Sequence, residues 1–183
     1  MLRAPRSFQS LAACVLANCA SLAPATLLPE SGVYVLQSPS HAHTKVRVVR
    51  DGDVAVMVWL NDKSEGCCAP KDEPCDESKS SRHGVRGYEL RRDGIYELDG
   101  GDLEVPVRLQ VGYEWTLPRR PASNCDFVRR IAAVDSVGIT VTTHLSCTDE
   151  APRLIDTERW RKGRGIEETE IATGTKILMT KTQ

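Results

Sequence analysis

Apolar residues recur along this chain in short, β-branched, alternating runs, and no window of twelve residues carries an apolar period of 3.6. Residues 32–36, 45–49 and 54–60 read as the first three strands, with Asp51-Gly52 between the second and third as a hairpin signal. Similar runs cover 88–90, 95–98, 103–111, 127–134, 138–145, 154–160, 165–171 and 175–180. Turn chemistry separates them at Asp93-Gly94, Gly100-Gly101, Ser136-Val137-Gly138, Gly163-Arg164-Gly165 and Thr173-Gly174. Turns every 8 to 12 residues predict an all-β fold, an antiparallel meander that forms a barrel or a two-sheet sandwich.

Two hairpins can be read to the residue. A three-residue loop, Arg92-Asp93-Gly94, sets Leu90 opposite Tyr96 and Tyr88 opposite Leu98, with those pairs on the core face. A three-residue loop at 135–137 sets Cys125 opposite Cys147, close enough for a disulfide.

The first 25 residues follow a different pattern. Arg3 and Arg6 precede an apolar stretch at 11–17, and Ala23-Pro24-Ala25 offers a small-residue cleavage site, the order of a secretory signal peptide. Export to a periplasm or an outer-membrane surface follows, with a single β-rich domain over 31–183. Cys14 and Cys19 lie in lipobox-like contexts, which leaves a lipid anchor open as an alternative mature N-terminus. Cutting after Ala25 removes two arginines and no acid, so the formal charge would move from −1 to −3.

Residues 61–84 are almost without apolar side chains and too long for an ordinary hairpin connection. They carry Cys67, Cys68 and Cys75, and Cys75 can reach back to either of the other two as a disulfide. A zinc or copper site using these thiols with His83, His41 or His43 is the weaker reading, because the C-x2-C clip is missing. No metal or other cofactor is therefore expected.

Charge bears on partners. Lys plus Arg number 24 against 25 Asp plus Glu, and this balance argues against nucleic-acid binding. The Arg119-Arg120 and Arg129-Arg130 pairs read as solvated faces. No nucleophile elbow, zinc-protease helix or phosphate loop occurs, and His144 with Asp126 or Asp135 is too loose a constellation for catalysis. The expected protein is not an enzyme.

Pro106–Trp115, with V-G-x-x-W at 111–115, and the tryptophan-led stretch 158–166 resemble secreted bacterial β-domains, many of them lipoproteins of unknown function. That resemblance implies a β fold and the cell envelope. The expected role is a non-catalytic module that binds or scaffolds another envelope component. The alternative is a periplasmic carrier of an apolar ligand. A carrier would hold a large apolar cavity, and a rigid module would fill its core.

Overall fold

The computed structural model describes residues 22–39, 41–60, 86–117 and 124–182. Cys14, Cys19, Cys67, Cys68, Cys75, His83 and the side chains of His41 and His43 lie outside what it describes, as do residues 61–85.

Twelve antiparallel strands form one sheet among the described residues. The first half of the chain supplies β1 (Gly32–Ser38), β2 (His41–Asp51), β3 (Val54–Leu60), β4 (Arg86–Arg91), β5 (Gly94–Glu97) and β6 (Leu103–Pro106). The second half supplies β7 (Glu114–Thr116), β8 (Cys125–Val134), β9 (Gly138–Cys147), β10 (Arg153–Arg161), β11 (Gly165–Ile171) and β12 (Lys176–Lys181). Each half is a meander, and the two are joined where β1 pairs with β12. The spatial order is β6-β5-β4-β3-β2-β1-β12-β11-β10-β9-β8-β7. The all-β expectation holds. The ladder is one open sheet with β6 and β7 as its edges, where a barrel or sandwich was expected.

The open sheet curls strongly. Tyr88 on β4 and Trp160 on β10 have five strands between them in the ladder, yet their rings meet edge to face with centroids 5.3 Å apart. The β6 and β7 edges are tied by side chains: Trp115 Nε1 donates to the Leu103 carbonyl at 2.8 Å. One core cluster fills the concave side, with Tyr34, Val46, Val48, Ile95, Val105, Ile131, Val141 and Trp160 at 1% exposure or less.

One end of the curled sheet is closed by a 3-10 turn, Pro24–Leu27. Pro24 starts it without losing a needed donor, and Thr26 folds back on the Ala23 carbonyl through N–H and hydroxyl. Leu27 and Leu28 are fully buried. The β10–β11 turn grips this plug, since Gly163 N–H donates to Thr26 O at 2.7 Å and Glu30 N–H to Gly163 O at 2.8 Å. Arg50, near the end of β2, donates to the carbonyls of Ala25 and Leu28. The expected cleavage point after Ala25 thus falls inside this turn.

The two hairpin readings fared differently. In β4–β5 the partners are Leu90 with Ile95 and Tyr88 with Glu97, around a two-residue loop, Arg92-Asp93. The expected register was one residue off. The shorter loop buries Ile95 and turns Tyr96 outward, where its hydroxyl donates to Asp93 Oδ2 at 2.6 Å under the Arg91 guanidinium. In β8–β9, Cys125 does oppose Cys147 and the two form a disulfide, with Cα atoms 4.0 Å apart. The route to that register is not the expected one. The turn is tighter: Asp135 N–H donates to Gly138 O, and Asp135 Oδ1 accepts from the amides of Val137 and Gly138. An extra residue, Ala132, bulges between the Ile131 and Ala133 pairs and restores the alignment at the cysteines.

Replacing both Cys125 and Cys147 by alanine should lower the unfolding free energy by about 3 kcal/mol for a closed loop of this length. Urea unfolding of the variant, beside the wild type with and without reductant, checks it. A midpoint unchanged in the variant would show that the bond does not constrain the unfolded chain.

Candidate functional site

Strand register builds the site. Trp115, Arg129, Thr143 and Asp156 are directly opposed in turn across β7, β8, β9 and β10, so they form one transverse row on the concave face. The neighbouring row runs Ile131, Val141, Glu158, Thr169 and Ile177 across β8 to β12. Mixing charged residues into these rows places charge in the core. Arg129 is 3% exposed, Glu104 4% and Glu158 8%.

These three residues form a buried ion triad. Arg129 Nη1 donates to Glu104 and Nη2 to Glu158, so one guanidinium joins β6, β8 and β10. Trp160 Nε1 donates to Glu158 Oε2 at 3.1 Å, and the Trp115 ring lies 5.7 Å from the guanidinium carbon. Burial opposes the charge on Arg129, but Glu158 and Glu104 outweigh it and hold the guanidinium above its ordinary value. Burial likewise raises the Glu104 carboxyl, with Arg129 only partly offsetting it and Glu158 adding like charge.

Beside the triad lies a cavity of about 460 Å3, within the size range of small-molecule sites. Its wall is apolar, from Leu36, Met57, Trp59, Ile155, Ile177 and Met179 on β1, β3, β10 and β12. Its polar lining includes Arg86, Tyr88, Asp156 and Glu158. Chain direction places it toward the end away from the Pro24–Leu27 plug, the end where β3 stops at Leu60 and β4 starts at Arg86. The Cys125–Cys147 bond lies at that same end.

Bulges aim the polar residues. Glu104 is the extra residue of β6 between the Leu103 and Val105 pairs, and Ile155 is the extra residue of β10 between the Leu154 and Asp156 pairs. Each bulge puts two successive residues on the inner side: Glu104 and Val105 are both buried, and Ile155 and Asp156 both line the cavity.

Most polar groups here are satisfied internally. Arg86 Nε donates to Glu97 Oε1 at 3.1 Å. Burial pushes the Tyr88 hydroxyl well above its usual range, so it stays protonated. Two buried atoms are exceptions among the described residues: Arg129 Nε finds no acceptor and Asp156 Oδ1 accepts no hydrogen bond. Burial raises the Asp156 carboxyl, the Thr143 hydroxyl partly counters that, and Glu158 adds to the rise. Asp156 therefore binds its proton more tightly folded than unfolded. Its ionisation costs stability in full above the raised pKa, and that cost vanishes below the ordinary value of ~3.9. Asp156→Asn should stabilise the protein by about 1 kcal/mol at pH 7, with the gap closing as the pH falls toward ~4. Urea unfolding at both pH values reads this directly. A variant less stable than the wild type at pH 7 would contradict it.

The residues singled out in sequence fall mostly elsewhere. Cys125 and Cys147 meet as a staple at the rim. Arg129 is buried at the centre of the triad, where a solvated face was expected, while Arg130 beside it is about half exposed. His144 pairs with Val128, Asp126 sits opposite Ser146, and Asp135 occupies the β8–β9 turn at the far end. Both tryptophans of the V-G-x-x-W and C-terminal motifs contact the ion triad. Among the described residues, no three His, Cys, Asp or Glu side chains gather as metal ligands.

No family model, curated protein or solved structure matches this chain.

Proposed function

We propose that this chain is a non-catalytic carrier in the cell envelope, holding a small, largely apolar molecule inside its curled sheet. The observation that carries this reading is the cavity beside the buried triad, walled by residues from both halves of the meander. A rigid scaffold would gain stability by filling that volume with side chains. Here the chain keeps it open between strands held by the seam and the plug. The basic–apolar–small order of residues 1–25 and the disulfide support an exported setting, with Cys14 and Cys19 as the candidates for a lipid anchor. Arg129 is committed to Glu104 and Glu158, which suits a positioning role within a binding site.

The neutral fluorescent probe N-phenyl-1-naphthylamine tests the proposal. It should bind the wild type saturably at one site per chain. Ile177→Trp, which pushes an indole into the cavity, should weaken binding at least about tenfold and keep the fold by circular dichroism. Absence of saturable binding, or equal affinity in the variant, would overturn the carrier reading.

A further inference from the structure

Charge and hydrogen-bond accounting inside the cavity distinguishes between ligand classes. Five carboxylates, Glu97, Glu104, Asp156, Glu158 and Glu167, lie on or directly behind the lining, against four guanidiniums, Arg86, Arg129, Arg161 and Arg164. Arg86 pairs through Nε with Glu97, Arg129 through both Nη atoms with Glu104 and Glu158, and Arg161 and Arg164 with Glu167. A ligand carboxylate would meet an excess of like charge. Two buried polar atoms lack a partner among the described residues, Arg129 Nε and Asp156 Oδ1, and of these two residues only Asp156 lines the cavity, so the unmet demand there is for a donor.

Resting on the carrier reading, we infer that the ligand is an amphipathic cation: an alkyl or aryl body against Leu36, Met57, Trp59 and Met179, and a primary or secondary ammonium group donating to Asp156. An ammonium supplies two or three donors on a compact charge, which suits a lining that includes Asp156, Glu158 and Tyr88. Asp156 is then a residue whose unmet bond weakens the empty protein and is completed by the ligand.

The test uses three eight-carbon probes, octylamine, octanol and octanoate, each displacing N-phenyl-1-naphthylamine from the full-length protein. Octylamine should displace the dye at roughly a tenth of the octanol concentration, as a charge-assisted bond implies, and octanoate should be the weakest of the three. In Asp156→Asn the amine-to-alcohol ratio should fall to about one. If the dye binds but octanol or octanoate matches octylamine, the cation assignment fails and the carrier reading stands. If the amine preference survives in Asp156→Asn, Asp156 is not its receptor. If neither dye nor any probe binds, the cavity holds no such ligand and both proposals fall together.

Discussion

Arg129→Met should lower the unfolding free energy by about 3–5 kcal/mol, the largest loss expected from a single substitution outside the hydrophobic cluster. The reason is the state of its partners. Glu104 and Glu158 are 4% and 8% exposed, and each relies on a separate Nη of the same guanidinium. Methionine matches much of the volume of arginine but leaves two carboxylates buried and facing one another without a counter-charge. They can respond by protonating or by opening the seam between β6 and β8. The loss should therefore shrink at acid pH, because both acids then bind protons and their repulsion disappears. A triple variant, Arg129→Met with Glu104→Gln and Glu158→Gln, should recover most of it. Denaturant midpoints of the three proteins, at pH 7 and pH 5, separate these cases. A single variant as stable as the wild type would show that the triad does not hold β6 to β8 and β10.

Trp160→Ala should cost a similar amount, about 3–5 kcal/mol, by a different route. Trp160 is fully buried, packs edge to face on Tyr88 and donates its indole N–H to Glu158. Removing it opens a void at the contact between β4 and β10, two strands far apart in the ladder, and takes a hydrogen bond from an acid of the triad. Thermal unfolding of Trp160→Ala beside Trp59→Ala checks the assignment. Trp59 belongs to the cavity wall and is only partly buried, so its removal should change stability less than probe binding. Equal destabilisation by both would contradict the distinction.

Much of the architecture was legible in the alternation of side chains. Eleven of the segments read as strands contain strands, and the turn glycines fall at their ends. The short β7 was missed because the run 103–111 breaks at Pro106, and its continuation resumes only at Glu114 after the turn at Gly112. The site was much harder to see. Its polar members, Glu104 and Asp156, stand at or beside bulges, where the two-residue period slips and an acid that alternation would place outward ends up inside. Arg129 was hidden by Arg130, since an adjacent pair of arginines looks solvated until the strand's register separates them. A useful signal did exist in β8: alternation puts Arg129 on the face of Ile131, a buried position. The Cys125–Cys147 pairing came out right because a tighter turn and the Ala132 bulge cancel, which no reading of the turn alone could reveal.

The central claim is that an amphipathic molecule enters the curled sheet at the disulfide-bearing end. Methyl NMR of protein labelled at methionine tests this most directly, because only three methionines are present and two, Met57 and Met179, line the cavity. Octylamine should shift the Met57 and Met179 methyl signals saturably, with the same midpoint for both. Signals from Met57 and Met179 that stay in place at saturating octylamine would contradict the account.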